Sequence, residues 1–537
     1  MSTTPTTAPP EGSGDPTGRL DGASKARIFT VLTVIVLFTE VAPLQYTMVS
    51  AALQKIGPAF PSAGANLTWA IIIFGLIGAA VSPLIGKMAD IWGKKRMFLV
   101  CGGFFLVGCL VCATTSSWGV FLAGRAFQAI AIATAVIAYG LIRDLLPRHL
   151  VPLGIGITST GLGFSALIAP VLGGWLVDNH SWRAIFWFLF IYTLVVFPLV
   201  WFLVPESGLR TRERLDIVGA ALLAIGVGLI LVYVDKGQDW GWSRPSAWLW
   251  AVAGVVLVAA FVAVERRATQ PIMDMKLLFD PRVSTVLVVG LFAGFMVGVH
   301  SYTMGYLTLT PPEDATRSLV VQGTVDTVTK LTGQPVPPQA VNVTFDPGYS
   351  YGEGWSLMEY ATHLAIWLGL VAMIAGALAG AWSRRVGARL PLLLALVTFV
   401  ATAVLYALTP HEWVWLTLLS IPFGIAFGAY YATAPNLIIE AVPAEQQGVS
   451  AGMLGVMQSM GVAIGLAIST AFLNANPVKA VVAVGPQPPA TSEINGIFAD
   501  NAYELSFWLV AGTSVVALVA AYLMRHGRTP ATGGSAH

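Results

Sequence analysis

The sequence predicts an all-α integral membrane protein, and three observations lead to this fold class. Of its 537 residues, 56% are hydrophobic and 10% are charged, whereas a typical soluble domain has about 25% charged residues. The mean hydropathy is +0.75. The chain also divides into fourteen apolar runs, most of them near the length of about 20 residues that an α-helix needs to cross a bilayer.

The predicted spans form two sets of six, separated by a two-span linker. Paired bundles of this kind, with the substrate site between them, are a common arrangement of secondary transporters. The spans are 28–53, 67–89, 97–115, 118–142, 152–176, 184–204, 217–235, 247–265, 283–306, 357–381, 390–408, 413–437, 447–473 and 503–524. The expected domains are a disordered cytoplasmic tail at 1–27, an N-terminal six-helix bundle at 28–204, a linker with two spans at 205–282, a C-terminal six-helix bundle at 283–524 with an external insert at 308–355, and a cytoplasmic tail at 525–537.

Basic residues sort to one side of these spans. Most of the 29 Lys and Arg residues fall on the face that carries both chain ends, and an excess of Lys and Arg marks cytoplasmic loops. We therefore expect a multi-pass protein of the cell (inner) membrane with both termini in the cytoplasm. This orientation requires twelve or fourteen spans, and region 205–282 decides between them. The net charge of +2 gives no reason to expect a nucleic-acid partner.

The loop between the second and third spans reads GKMADIWGKKR and carries five charged residues. Charges so close to a membrane span are costly unless they pair or face water. We interpret the loop as a charged latch that gates the cytoplasmic mouth of the bundle, and an ordinary positively charged loop is the alternative. The gate residues are Gly86, Asp90, Gly93, Lys94, Lys95 and Arg96.

The latch pattern, G-x-x-x-D-x-x-G-[RK]-[RK], resembles the loop between helices 2 and 3 of the major facilitator superfamily. The linker motifs are similar in order to the inserted helices of that family's fourteen-helix drug:proton antiporter group (EmrB/QacA-like). They are Leu215–Gly219, Trp240–Trp242, Glu265–Arg267, Gln270–Ile272 and Leu278–Phe279. The resemblance covers about 28–310 and 355–525, and it implies a major facilitator fold that exports drugs in exchange for protons.

The latch has a second, weaker copy in the C-terminal half. Gly380 and Gly387 align with Gly86 and Gly93, which places Arg384 where the acid is expected. The repeat supports two related halves, and the missing acid means that the second copy lacks the negative charge of the first.

Arg125 lies in the segment GRAFQ, inside the fourth span. An arginine keeps its proton in a protein, so the guanidinium must be paired or solvated. The segment is similar to the family's fourth-helix motif, with Ala129 where a glycine is usual, and this resemblance implies a part in proton coupling. The alternative is an arginine that holds the fold through backbone carbonyls.

The fifth span has small residues at helix-contact spacing and a proline within it. Small residues let helices approach closely, and a proline removes a backbone hydrogen bond and permits bending. The pattern resembles the motif that marks antiporters within the family, with Ala169 replacing one glycine, and it implies export. The predicted hinge residues are Gly161, Gly163, Pro170, Gly173 and Gly174.

Proton coupling requires a carboxyl group that takes up and releases a proton in alternation. The family places an acid in the first span, where this chain has Gln45. Glu40 lies five residues earlier, about 140° away around the helix, so it is not a direct replacement. An ionisable group inside a span is a functional hypothesis by default. We predict that Glu40 acts with Arg125 in proton coupling, and a structural acid, neutral or paired across helices, is the alternative.

The predicted substrate cavity is apolar and aromatic, with scattered amides and hydroxyls. Flexible Met and amphipathic Tyr suit varied amphiphilic ligands, and helix packing is the alternative for each residue taken singly. The cavity residues are Gln45, Gln128, Tyr139, Tyr302, His363, Trp367, Tyr430, Asn436, Met457 and Gln458.

The insert at 308–355 contains no apolar span. Partial alternation of apolar and polar residues in Ser318–Val328 and strict alternation in Val341–Phe345 predict a small β-hairpin lid, and a disordered loop is the alternative. A second loop at 475–502 contains several prolines and is predicted to be mobile.

We therefore predict a proton-coupled transporter that exports amphiphilic small molecules, such as drugs, lipids or lipid-like metabolites, by alternating access. The expected partners are this substrate, protons and the bilayer, and the family resemblance implies a monomer. The sequence has no nucleotide-binding loop, nucleophile elbow or metal-ligand motif, so we expect no cofactor, no metal and no enzymatic activity. The alternatives are a non-transporting membrane receptor or scaffold that acts through the insert, and a proton-coupled importer.

Overall fold

The computed structural model describes residues 19–147, 150–210, 216–241, 244–268, 275–442, 447–485 and 488–529. Most of the two predicted tails lies outside the described residues, as do several residues of the linker motifs.

The described residues are predominantly helical. The N-terminal set of helices is α1 (Lys25–Thr39), α2 (Val41–Ala51), α3 (Leu53–Ile56), α4 (Trp69–Trp92), α5 (Lys94–Thr114), α6 (Trp118–Ala129), α7 (Ala133–Leu145), α8 (Val151–Asn179) and α9 (Arg183–Leu203). The linker contains α10 (Ile217–Trp240), α11 (Pro245–Glu265) and α12 (Met275–Leu278). The C-terminal set is α13 (Pro281–Leu309), α15 (Leu357–Tyr360), α16 (Ile366–Val386), α17 (Arg389–Leu408), α18 (Trp413–Glu440), α19 (Gln447–Ala475) and α20 (Asp500–Leu523). The remaining elements are α14 (Glu313–Thr332), β1 (Val341–Asp346), β2 (Pro477–Val484) and β3 (Ala490–Phe498).

Each predicted span coincides with a described helix or helix pair. Twelve of these are long and apolar enough to cross a membrane, and the bent pair Asn66–Ser82 and Leu84–Trp92 adds a thirteenth if it is one span. Helix α8 has 29 residues, of which Phe164–Asn179 count as a shorter apolar helix. The fold class, an all-helical membrane protein, is therefore confirmed.

The first span is formed by α1 and α2 together, with a one-residue interruption at Glu40. Helix α1 ends at Thr39 and α2 begins at Val41. Pro43 has no N–H group to donate to the Thr39 carbonyl, which is four residues earlier. The missing hydrogen bond accounts for the interruption, while Glu40 itself keeps a helical backbone conformation.

The two sets of helices meet mainly at two places. Helix α4 packs against α19, and α8 packs against both α15 and α16. The linker helix α10 packs against both α4 and α19. Below, the end of the molecule that carries the latch loop is called the charged end, and the opposite end is called the insert end.

Within the insert, one predicted strand is wrong and another is confirmed. Ser318–Val328, predicted as part of a β-hairpin, lies inside helix α14. The acidic residues Glu313 and Asp314 lie in its first turn, where the helix dipole favours negative charge, and Gly333 ends the helix at a φ of +69°. Val341–Phe345 is confirmed as a strand, because it forms most of β1.

The second loop contains two strands, which its sequence did not predict. Its strands β2 and β3 join β1 in an antiparallel sheet of order β1-β2-β3, with Val341 opposite Val484 and Asp346 opposite Lys479. Two loops that lie far apart in the sequence therefore build one small domain with α14. We call α14, β1, β2 and β3 the insert domain.

An aromatic cluster joins the insert domain to the ends of α13 and α20. The Tyr351 hydroxyl donates to the Phe498 carbonyl at 2.8 Å, and its ring lies 4.8 Å from that of Tyr503 on α20. The Phe498 ring lies 5.8 Å from that of Tyr306 on α13. These contacts fix the insert domain onto the C-terminal set.

Candidate functional site

The latch loop forms a buried ion-pair network. Lys94 Nζ lies 2.8 Å from Asp90 Oδ1 and 2.9 Å from Asp144 Oδ2 on α7. Asp144 is 1% exposed, and it also accepts from Ser207 Oγ at 2.8 Å and from Arg143 Nε at 3.2 Å. The network therefore ties the ends of α4, α5 and α7 to the segment after α9.

Glu206 caps the start of α5. Its carboxylate accepts from the backbone N–H groups of Lys95 at 2.9 Å and Arg96 at 3.1 Å, where the N-terminal end of a helix favours negative charge. Gly93 precedes this turn with a φ of +113°. A Cβ atom at Gly93 would lie 2.8 Å from Glu206 Oε2. Glycine is therefore required here both by the backbone conformation and by the approach of the carboxylate.

We expect Gly93→Ala to lower the stability of the protein by about 1–3 kcal/mol, because the new methyl group is strained and displaces the carboxylate cap. Thermal unfolding of the purified protein in detergent measures the effect. Gly103→Ala in α5 is the matched control, since nothing lies within 4 Å of its Cβ position. Equal midpoints for the two variants would contradict this account of Gly93.

The second copy of the latch has the same turn with different chemistry. Gly387 has a φ of +87°, and Arg389 donates from its backbone N–H to the Gly527 carbonyl at 3.0 Å. Its Nε donates to the Ala521 carbonyl at 3.2 Å. In both halves, the segment after the last helix of the set returns to the latch turn. It brings a carboxylate to an N-terminal helix end in the first half, and carbonyl groups to an arginine in the second.

The described partners of Asp90, Lys94, Lys95 and Arg96 all belong to the N-terminal set. Asp90 is thus paired within its own loop. The structure brings the predicted gate residues together as a group, and Gly86 lies beside them near Val136 on α7, with 3.5 Å from its Cβ position to the Val136 side chain.

Glu40 is buried between α1, α2 and α8. It is 4% exposed, and its Oε2 accepts a short hydrogen bond from Ser165 Oγ on α8. Its Oε1 has no hydrogen-bond partner. That oxygen points at Gly161, where a Cβ atom would overlap it. The structure therefore joins the predicted acid to the predicted hinge helix through Ser165 and Gly161.

Arg125 is fully buried on α6. Its Nε donates to the Ala70 carbonyl on α4 at 2.8 Å, and its Nη1 donates to Gln128 Oε1 at 2.7 Å. Its Cζ lies 5.1 Å from the centre of the Phe74 ring. Glu40 and Arg125 do not pair with each other. These contacts are the backbone and amide contacts expected for the structural alternative, and they leave a role in coupling open.

Helix α8 also forms one of the contacts between the two sets. Pro170 lies within the helix without ending it, and the Cβ position of Gly173 lies 3.3 Å from Met48 Cγ on α2. A Cβ at Gly174 would lie 2.9 Å from the Leu357 carbonyl of the C-terminal set. Gly163 lies in the same helix. The predicted hinge residues therefore lie between the acid and the neighbouring set.

Two further contacts join the sets at the insert end. The Asp178 carboxylate accepts from the backbone N–H groups of Leu357 at 3.2 Å and Met358 at 2.7 Å. Gln54 Nε2 donates to Thr310 Oγ1 at 3.4 Å. At the insert end, α8 and the segment after α2 therefore both contact the C-terminal set.

The predicted cavity residues occupy different environments. Tyr430 and Gln458 are brought together across α18 and α19, where Gln458 Nε2 donates to the Tyr430 hydroxyl at 2.6 Å. Asn436 bonds back to the Ala432 carbonyl of its own helix. The side chains of Gln45, Gln128 and Tyr302 are buried, those of Tyr139 and Met457 are partly buried, and those of His363 and Trp367 are exposed.

Two of these placements are informative. Both amide atoms of the Gln45 side chain are buried without a hydrogen-bond partner. His363, by contrast, stacks on Trp355 with ring centres 5.0 Å apart and contacts Trp413, so it lies in an aromatic cluster near the insert end.

Sequence analysis did not find Asp144, Glu206 or Asp178. Each is an acid at a helix end or directly after one, and each accepts hydrogen bonds from residues of another helix or loop. Their position beside apolar spans is a usable signal, because an acid there needs a partner. The identity of the partner cannot be read from the sequence.

Two sets of long apolar helices, joined by a pair of linker helices and carrying equivalent glycine turns at one end, define a membrane transporter of the two-bundle class. The sequence comparisons agree. The family model for the Major Facilitator Superfamily matches residues 35–314 and 338–536. The chain belongs to this family, whose members are transporters and not enzymes.

Several relatives are transporters by name. The multidrug resistance protein Stp of Mycobacterium tuberculosis (strain ATCC 25618 / H37Rv) is 26% identical over 437 residues, which are 80% of this chain and 73% of that protein. The probable multidrug resistance protein EmrY of Escherichia coli (strain K12) is 26% identical over 286 residues, which are 52% of this chain and 53% of that protein. The match to the MFS-type transporter YvkA of Bacillus subtilis (strain 168) is 27% identical and spans 47% of this chain and 56% of that protein.

Solved structures share the fold at low identity. The xylose transporter XylE of E. coli, in a partially occluded inward open conformation, has a TM-score of 0.56 and 11% identity, and the match covers 94% of this chain and 98% of that one. The human organic anion transporter MFSD10 has a TM-score of 0.56 and 15% identity, with 92% and 99% covered. These likenesses show the fold.

Proposed function

We propose that this protein is a proton-coupled exporter of amphiphilic small molecules that works by alternating access. The observation that carries the proposal is the carboxyl group of Glu40, which is buried inside the first span with one oxygen held by Ser165 and the other without a partner. A carboxyl group in such a place is stable when it carries a proton, and it needs water or a cation when it does not. Loss of the proton therefore favours a different helix arrangement.

Helix α8 transmits this change in helix arrangement from Glu40 to the insert end. Near its middle, it contacts Glu40 through Gly161 and Ser165. At its insert end, it contacts Leu357 and Met358 through Gly174 and Asp178. Helix α8 therefore responds to the protonation of Glu40 near its middle and closes the insert end through its last turns. Pro170 permits the helix to bend between these two points.

The finer architecture belongs to the same proposal. Fourteen spans result if the bent helix α4 and the 29-residue helix α8 each cross the membrane once. With 28–204 and 283–524 as the two bundles, both termini lie in the cytoplasm, the charged end is cytoplasmic, and the insert domain is external. The described conformation, closed at the insert end, is then open or occluded toward the cytoplasm. The protein acts as a monomer in the cell membrane.

Export of amphiphiles is supported by three features. Several relatives are named as multidrug resistance proteins. The residues proposed to line the cavity combine Met and Tyr with the unpartnered amide group of Gln45, which suits varied amphiphilic ligands. A small domain over the external mouth would shield an apolar substrate from water as it leaves, which favours lipids or lipid-like metabolites.

Transport of a fluorescent amphiphile into inverted membrane vesicles tests the proposal. We expect wild type to accumulate the dye when a proton gradient is imposed, and Glu40→Gln to lose at least about tenfold of this activity, because glutamine cannot carry the proton. Glu493→Gln, an exposed acid in β3, is the matched control. Equal gradient-driven transport by Glu40→Gln and wild type would contradict the proposal. Transport only into right-side-out vesicles would indicate uptake instead.

We expect cysteines placed at Gln54 and Thr310 to cross-link across the insert end of the resting protein, because these side chains touch there. The native cysteines, Cys101, Cys109 and Cys112, are buried and give little background. Adding Asp178→Asn to the double-cysteine protein lowers the yield, since a neutral amide caps the N–H groups of Leu357 and Met358 less strongly. A short thiol cross-linker followed by gel mobility after proteolysis measures the yield. Unchanged yield with Asp178→Asn would show that this contact does not hold the end closed.

A further inference from the structure

We propose that Arg125 and Tyr46 form a binding site for an acidic group of the transported molecule, so that the substrate is an anionic amphiphile with a carboxylate, sulfonate or phosphate head. This inference rests on the proposed transport function and names the class of substrate. It depends on a buried cation that lacks a counter-ion and on unpartnered hydrogen-bond donors beside it.

Arg125 carries its charge without a neutralising partner among the described residues. It is 0% exposed, and its hydrogen-bond partners are a carbonyl and an amide oxygen, both neutral. The nearby thiols of Cys109 and Cys112 are free, buried cysteines. Glu40, the acid in the first span, bonds to Ser165 instead. Burying a charge without an opposite charge is costly, so this position favours a ligand that brings one.

Part of the guanidinium is also unused. Nη2 of Arg125 is buried and has no hydrogen-bond partner. The other two nitrogen atoms fix the orientation of the group through Ala70 and Gln128. A guanidinium held in this way presents its free nitrogen in a defined direction, which is the arrangement that suits recognition of an oxyanion.

Tyr46 supplies a second donor on the neighbouring helix. The Tyr46 and Arg125 side chains lie near each other and share a neighbour in Phe74, whose ring centre lies 5.1 Å from Arg125 Cζ and 6.4 Å from the centre of the Tyr46 ring. The buried hydroxyl groups of Tyr46 and Ser50 lie close to each other, and neither makes a hydrogen bond of good geometry. An oxyanion between Arg125 and Tyr46 would satisfy these donors.

The site lies at the boundary between the two sets of helices. Tyr46 also lies near Tyr431 of α18, in the C-terminal set. Tyr431 packs against Phe427 with ring centres 4.7 Å apart. An amphiphile bound by its head at Arg125 therefore has aromatic surface from the opposite set available for its apolar part. Both parts of such a ligand contact elements that separate when the sets move.

Two dyes with the same aromatic skeleton test the charge requirement directly. The first is 8-anilinonaphthalene-1-sulfonate, whose sulfonate stays ionised at every usable pH, and the second is N-phenyl-1-naphthylamine, which lacks the sulfonate. Saturable fluorescence enhancement on the purified full chain in detergent gives both affinities. The variants are Arg125→Gln, Arg125→Lys and Tyr46→Phe, and Tyr522→Phe is the control at an exposed tyrosine.

We expect wild type and Tyr522→Phe to bind the sulfonate at least about tenfold more tightly than the neutral dye, which corresponds to one charge-assisted hydrogen bond. Arg125→Gln and Tyr46→Phe should lose most of this preference, measured as the ratio of the two affinities. Arg125→Lys, which keeps the charge, should retain part of the preference. A cooperative thermal unfolding transition in detergent, as in wild type, shows that the variants are folded.

Three results would overturn the inference. They are equal affinity of wild type for the two dyes, a sulfonate preference that survives both Arg125→Gln and Tyr46→Phe, and displacement of the sulfonate dye by excess inorganic sulfate at constant ionic strength, which would indicate a site for a small inorganic anion. Gradient-driven movement of the neutral dye in vesicles separates this failure from failure of the proposed function. It persists in wild type if only the anion site is wrong, and it is absent if the transport proposal is wrong.

Discussion

Gly161→Ala is expected to abolish gradient-driven transport while leaving a folded protein. The added methyl group would overlap Oε1 of Glu40, so either the carboxyl group moves away from Ser165 or α8 moves away from α1. Either change breaks the contact through which we propose that α8 senses the proton. Crowding of a packed interior by one methyl group costs about 1–3 kcal/mol of stability, which is small enough to leave the fold intact.

Transport in inverted vesicles and thermal unfolding in detergent are measured together for this variant. Gly512→Ala in α20 is the matched control, because nothing lies within 4 Å of its Cβ position and alanine is the better helix former. We expect the control to transport as wild type does and to be equally or more stable. Full activity of Gly161→Ala would show that the enclosed position of Glu40 is not needed.

Lys94→Met is expected to cause the largest loss of stability among the variants considered. Lys94 lies between Asp90 and Asp144, and Asp144 is almost fully buried. Removing the cation leaves a buried carboxylate with fewer opposite charges, which typically costs about 3–5 kcal/mol. The unfolding midpoint of the purified protein in detergent measures this loss, with Arg96→Gln as the control, because the Arg96 side chain is exposed.

The double variant Lys94→Met with Asp144→Leu distinguishes the interaction between these two side chains from their contacts with other residues. Replacing both members of a buried ion pair by apolar residues of similar volume is often close to neutral. We therefore expect the double variant to recover much of the stability that Lys94→Met loses. A double variant as unstable as the sum of its parts would show that Lys94 and Asp144 act independently.

The spans were predictable because the signal for them is local. Each span is a continuous apolar run, and its ends are marked by charged residues or turns, as at Gly93 and Gly387. The interruption at Glu40 also has a local cause in Pro43. By contrast, the apolar and polar alternation of Ser318–Val328 suited a strand. The helix that formed instead is favoured by its acidic first turn and weakly by the exposed ion pair of Arg317 with Asp314, 3.0 Å apart.

The rest of the fold and site depends on contacts between distant parts of the chain. Strand β1 pairs with β2, more than a hundred residues further on. Neither loop has a sequence feature that predicts the other as its partner. The cap that Glu206 forms on α5 also joins residues that are far apart in the sequence. Glu40 and Arg125 could be selected from the sequence as charges inside spans, but their partners, Ser165 and the Ala70 carbonyl, became known only from the packing of the helices.

The central claim is that Glu40 carries the proton that is exchanged for substrate. Proteoliposomes that contain a trapped pH-sensitive dye test it most directly, since a substrate gradient imposed on wild type should drive protons in the opposite direction. With Glu40→Gln, we expect no substrate-driven proton movement, while exchange of labelled for unlabelled substrate continues. Proton movement by Glu40→Gln at the wild-type rate would contradict the account and move the coupling site to another residue.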